Sequence, residues 1–192
     1  MAYKDIEHVI THRRTVKPAN MNGKKIDDAI VQELLQLADW APTHGHTEPW
    51  YFMVYAGEKA QAFAADHAEM YKSFTPAAQY IQGNYEKLKT QADLASHVVA
   101  ICMKRGNNPK IPEIEEIAAV SCAVENIWLG ATAQQIAAYW GSGGMTYHPA
   151  MQDYLGLGDD DKVLGFLYLG YSEEAPRTGR RVKPLEEKVK WM

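Results

Sequence analysis

The chain has 192 residues, enough for one domain with a sizeable core, and its 46% hydrophobic and 23% charged content is ordinary for a globular protein. A formal net charge of −4 leaves no basic excess to displace counterions, which argues against a nucleic-acid binder. No apolar run reaches membrane-spanning length and no apolar signal core follows the N-terminus, so the expectation is a cytoplasmic protein, a single domain over residues 1–192.

Ile6, Val9 and Ile10 recur at helical spacing and predict a helix ending near Arg13-Arg14-Thr15-Val16-Lys17. If the chain leaves that helix extended, Arg13, Thr15 and Lys17 share a face. Two cations flanking a hydroxyl suit an anion such as phosphate; the alternative is a solvated helix end whose cations complement the macrodipole. Pro18 to Lys25 reads as a loop. Asp27 can cap a helix carrying Ile30, Leu34, Leu37 and Ala38, which ends at Trp40-Ala41-Pro42 because a residue before proline is pushed out of the helical region.

A polar connector, Pro42 to Glu48, then leads through Pro49 into a strand, Trp50 to Tyr55. Loops of this kind commonly carry function. His44 and His46 alone do not make a zinc site, since no third ligand follows at metal-site spacing, and no metal is expected. Helices are predicted from Lys59 to about Tyr71 and from Pro76 to about Ala92. His97 to Met103 is a nearly unbroken apolar run, the mark of a strand covered on both faces, and Val163 to Leu169 is a second. Between them lies a long helical candidate, Glu113 to Ala138. Small residues recur along it at Ala118, Cys122, Gly130 and Ala137, either buried in the monomer or at a dimer seam. Cys102 and Cys122, in apolar surroundings and not in a CxxC pair, read as buried thiols, with a bridge between them as the alternative. Ala138 to Met145 holds Gly141, Gly143 and Gly144, a turn whose backbone could approach a flat ligand. It is neither a dinucleotide fingerprint nor a P-loop. The tail is basic at Arg177, Arg180, Arg181 and Lys183, followed by Pro184-Leu185-Glu186-Glu187.

Taken in order, four elements resemble the FMN-dependent nitroreductase family over nearly the whole chain. They are the Arg13-Arg14-Thr15-x-Lys17 start, the Ala41-Pro42 loop ending in Pro49-Trp50, the Trp140-Gly141-Ser142-Gly143 turn and the basic tail before Pro184. The resemblance implies an α+β fold of three layers, α/β/α, around a central, mainly antiparallel sheet. It further implies a homodimer with exchanged arms and two FMN sites at the subunit interface. Arg13, Arg14, Thr15 and Lys17 would hold the FMN phosphate and ribityl chain; Trp140, Gly141 and Ser142 would lie along the cofactor. Arg180 or Arg181 would complete the phosphate pocket, and the Pro42–Glu48 loop, with His44 and Glu48, would arrive from the other subunit. The family loop carries Ser, Asn and Gln where this chain has Thr43, His46 and Glu48, and Val182 stands where a cation is common.

The implied activity is ping-pong electron transfer from NADH or NADPH through FMN to a nitroaromatic, quinone or similar flat acceptor. Because the flavin carries the chemistry, no side chain is expected to be catalytic in the strict sense. The alternatives are a relative with another reductive task (dehalogenation, ene reduction or flavin breakdown) and a flavin-binding protein without turnover.

Overall fold

Apolar runs too long to leave one face in water must be covered twice, and the tertiary structure follows from that demand. The computed structural model describes residues 3–175 and 177–192. In chain order it contains α1 (Tyr3–His12), α2 (Asp28–Ala38), β1 (Trp50–Ala56), α3 (Glu58–Phe74), α4 (Gln82–Thr90), β2 (His97–Met103), α5 (Glu113–Ala133), β3 (Ala137–Gly141), α6 (Pro149–Tyr154) and β4 (Lys162–Gly170). The strands form one sheet in the order β1-β2-β4-β3, every neighbouring pair antiparallel. Among the described residues no helix is long and apolar enough to cross a membrane.

All seven residues of β2 are buried, and alternation along the strand sorts them between two cores. Val99, Ile101 and Met103 join Leu167 and Leu169 of β4 beneath Leu34 of α2 and Val120, Val124 and Ile127 of α5. Val98, Ala100 and Cys102 join Phe166 and Tyr168 on the opposite face, against Phe63 and Ala64 of α3 and Met151 of α6. A smaller cluster of Ala68, Tyr71 and Leu88 fastens α4 to α3. These are the three layers anticipated, with α2 and α5 on one side of the sheet and α3, α4 and α6 on the other.

Asp27 caps α2 as expected, its Oδ1 accepting from the Ala29 amide at 2.9 Å. Other expectations need correction. The helix read from Glu113 to Ala138 stops at Ala133, and Ala137–Gly141 is an edge strand rather than part of a helix and a turn. The stop is a Schellman motif: the Ile136 amide donates to the Ala131 carbonyl and the Gln135 amide to that of Thr132, with Gln135 at φ 58°. A glycine usually marks that position, and glutamine hides it. The helix expected from Pro76 begins at Gln82, because residues before it turn and the Ile81 amide donates to the Tyr71 hydroxyl instead. Six-residue α6, started by His148 accepting from the Ala150 amide, is too short to show a period. Cys102 is buried as read, but Cys122 is exposed.

Between β2 and β4 the register slips at Ile101/Cys102: Ile101 faces Gly165 and Cys102 faces Val163, leaving Leu164 as the extra residue of a bulge. There Trp140 of β3 lays its indole over Gly165 and donates from Nε1 to the Leu164 carbonyl at 3.1 Å. Gly165 has φ 139°, and a Cβ would meet the indole and stand 2.8 Å from the Gly141 carbonyl. Gly165→Ala should therefore cost about 2 kcal/mol or more in urea unfolding, with an altered tryptophan emission, since it combines backbone strain with a clash against rigid neighbours.

Candidate functional site

The site begins where α1 ends. The Thr11 hydroxyl and the His12 ring turn back to carbonyls of the last helical turn, and the chain continues extended. Thr15 forms a parallel bridge with Ala138, and the Val16 amide donates to the Ala138 carbonyl at 3.0 Å. The basic segment thus covers the otherwise open edge of β3. The extended conformation expected for Arg13–Lys17 is present.

The individual cations differ. Arg13 places its guanidinium 4.5 Å from the centroid of the Trp128 ring, with Nε 3.4 Å from a Glu125 carboxylate oxygen, both on α5. Arg14 is used internally: Nη1 donates to the carbonyls of Thr11 and Arg13, and Nε to that of Arg177 at 2.8 Å. Gly179 passes so close to this guanidinium that a Cβ would collide with it. Farther along, Ser172 donates to the Asn20 carbonyl and Asn20 to Glu174, so the start of the tail runs beside residues 14–22. Thr15 and Lys17 are exposed, as are Arg180 and Arg181.

Beside Lys17 a groove of about 440 Å³ opens between Ala19, Lys87 of α4, Gln91 directly after that helix, and Tyr139 of β3. Lys87, Gln91 and Tyr139 also line a recess of about 210 Å³ that reaches Gly141, Gly143 and Gly144. Gly141 is buried and Ser142 exposed, while Trp140 packs toward the α2/α5 core. The structure therefore brings Lys17 and the 139–144 segment together through the Thr15–Ala138 bridge. It also adds residues that sequence reading missed: His67, Lys87, Gln91, Tyr139 and Tyr168. Only Tyr139 had a local signal, as the neighbour of Trp140; the others reach the cleft because α3, α4 and β4 pack there.

The Pro42–Glu48 loop lies elsewhere in the chain. His44 Nδ1 is 2.5 Å from a Glu115 carboxylate oxygen at the start of α5. Arg13 meets Glu125 and Trp128 farther along the same helix, and ten residues of helix separate the two contacts by about 15 Å. Gly45, His46 and Glu48 all have positive φ, and the Glu48 amide donates to the Thr43 hydroxyl at 3.2 Å. This bent loop rests on a buried ion pair. Glu116, 1% exposed, binds Arg105 and accepts from the Gly106 amide at 3.0 Å, while a Cβ on Gly106 would stand 2.8 Å from Thr47. Glu48 itself is exposed and has no ion pair among the described residues. Nor do three metal-ligating side chains converge among them.

His67 supports the glycine turn from below. Its Nε2 accepts from the Met145 amide at 2.9 Å, and a Cβ on Gly144 would stand 2.6 Å from the same nitrogen. Burial lowers its pKa to about 4, so the ring is neutral with its proton on Nδ1. The unfolded chain takes up this proton first, near pH 6.5, so stability present at neutral pH is lost as pH falls toward 4. Between pH 7 and pH 5 the loss should be about 2 kcal/mol. Urea unfolding at the two pH values should show that loss in the parent and a clearly smaller one in His67→Gln; equal losses would remove His67 as the cause.

Comparison with known proteins agrees with this architecture. The Nitroreductase family profile matches residues 10–171. YdjA of Escherichia coli K12, provisionally named an NAD(P)H nitroreductase, is 30% identical over 140 residues, 73% of this chain and 74% of its own length. A nitroreductase-like family protein from Bacillus cereus superposes with a TM-score of 0.85 at 28% identity, covering 100% of this chain and 98% of that one. A Desulfovibrio desulfuricans protein provisionally named a nitroreductase and crystallised with FMN shares the fold at a TM-score of 0.73 and 20% identity, over 96% and 94% of the two chains. The chain belongs to the nitroreductase family.

Proposed function

We propose that this protein is a homodimeric FMN-dependent oxidoreductase that passes electrons from NADH or NADPH to flat acceptors such as nitroaromatics or quinones. The observation that carries the reading is the basic segment hydrogen-bonded along β3, beside a groove flanked by Lys17 and Lys87. Neither lysine has a carboxylate partner among the described residues. The residues suit the cofactor: cations and a hydroxyl for phosphate, a groove within the roughly 300–1,000 Å³ range of small-molecule sites, and glycines that admit a flat ring. The names of the family relatives supply the nicotinamide donor.

In this reading Arg13 and Thr15 take the phosphate, with Arg180 or Arg181 closing over it. Arg14 holds the segment and the tail together, because its Nε and Nη1 donors already serve the carbonyls of Arg177, Thr11 and Arg13. Lys17, beside the groove, joins Arg13 and Thr15 along the phosphate and ribityl chain, and Trp140, Gly141 and Ser142 lie along the cofactor. The bound flavin supplies the hydride and electron chemistry, in ping-pong order. The protein's own work is to bind it, orient it, and leave one face open.

A second copy of the chain accounts for what one copy leaves undone. No residue of α1 is buried, with Ile6 49% and Ile10 51% exposed. On α5, Ile114, Ala118 and Cys122 face outward, whereas Gly130 packs against Leu34 and Leu37. Leu185 and Trp191 of the tail are also uncovered, Trp191 at 92%. Covering these surfaces would bring the partner's His44 and Glu48 loop to the cleft, which its own chain does not do.

Purified protein should take up FMN and be bleached by NADH or NADPH. A protein that binds FMN but never bleaches would overturn turnover, and one that takes up no FMN would overturn the reading entirely. Arg13→Ala should weaken FMN affinity by one to two orders of magnitude in a fluorescence titration, while riboflavin, lacking the phosphate, binds both proteins alike.

A further inference from the structure

Two arginines adjacent in the chain are held in different ways. Arg14 donates from Nε and Nη1 to the carbonyls of Arg177, Thr11 and Arg13. Arg13, whose amide donates to the Val9 carbonyl at the end of α1, gives no side-chain hydrogen bond to any described residue. Two groups of α5 hold it instead: the Trp128 ring, its centroid 4.5 Å from Cζ, and the Glu125 carboxylate, 3.4 Å from Nε. Their strengths differ. Glu125 is half-exposed, and an ion pair in that setting is weak and screened by salt. Trp128 is 8% exposed and packed in the α2/α5 core, and tryptophan is the best aromatic partner for a cation. Its Nε1 is buried with no hydrogen-bond partner, so the residue does not stand there for its N–H. What the structure uses is the face of the ring. A ring attracts a charge without accepting a conventional hydrogen bond, so the guanidinium is fixed while its N–H groups stay available to an anion. A mobile arginine loses side-chain freedom when it grips a phosphate, and here that loss is already taken in folding.

We propose that Trp128 is a positioning residue for Arg13, holding the guanidinium ready for the phosphate of FMN. The inference rests on the flavin reading above and adds to that site a residue that acts through Arg13. Titration of FMN and of riboflavin into purified variants, followed by flavin fluorescence, tests it. Trp128→Leu should weaken FMN about fivefold and leave riboflavin, which has no phosphate, unchanged. Trp128→Met, an unbranched filler for the same core position, should do the same and serves if the leucine variant does not fold. Trp128→Phe keeps a ring face and should stay within about twofold of the parent. In an Arg13→Ala background the leucine or methionine substitution should change FMN affinity no further, because the group it positions is gone. The inference is overturned if the non-aromatic variants bind FMN as the parent does, or if they weaken riboflavin equally, as a purely structural role would. It is also overturned if phenylalanine rescues nothing, or if the loss persists without Arg13. Should Arg13→Ala itself bind FMN as the parent does, the phosphate reading fails and takes this inference with it. A loss in Arg13→Ala without one in the non-aromatic variants removes the inference alone.

Discussion

A backbone hydrogen bond from Val16 to the Ala138 carbonyl, with the Thr15 bridge beside it, holds the candidate site in place. Without it the basic segment would be a loose helix end and β3 would expose an unpaired edge. With it, Lys17 is brought beside Tyr139 and the groove, and Arg14 receives the returning tail. Covering an edge strand and fixing the place of three cations and a hydroxyl are here one act, done by the same five residues. The arrangement depends in turn on β3 being a strand, and hence on the turn at Gln135 that ends α5.

β3 is fixed from its other side by the bulge in β4. The extra residue, Leu164, offers its carbonyl to the Trp140 indole, and Gly165 provides the space the ring occupies. Trp140 therefore points into the α2/α5 core, and alternation along the strand sends Tyr139 to the opposite face, where the groove and recess lie. His67 completes the support by holding the Met145 amide after the glycine turn. A rigid frame around a glycine-rich segment suits a site that must accept a flat molecule without collapsing onto itself.

At the far end of α5 the design is different. The Pro42–Glu48 loop adopts left-handed conformations at three positions, a cost sustained by the Arg105–Glu116 pair beneath it and the His44–Glu115 contact beside it. It stands about 15 Å along α5 from the basic segment, and α1, the outer face of α5 and the tail leave apolar side chains uncovered.

Much of this was legible in the sequence. The doubly covered strands β2 and β4, the Asp27 cap, the end of α1 at the arginine pair and the extended basic segment all follow from local rules, because burial period and capping chemistry act within a few residues. The order of motifs was enough to point to the family. Tertiary packing decided the rest. It made a strand of Ala137–Gly141 through a Schellman turn that lacks the usual glycine, exposed Cys122, and engaged Arg14 with the tail. It also gathered His67, Lys87 and Tyr168 around one recess. Those residues lie on α3, α4 and β4, with His67 and Tyr168 about a hundred positions apart, and no periodicity or spacing relates them. Only the packing of helices across a twisted sheet sets which side chains share a cavity, because that depends on distances between elements and not along the chain.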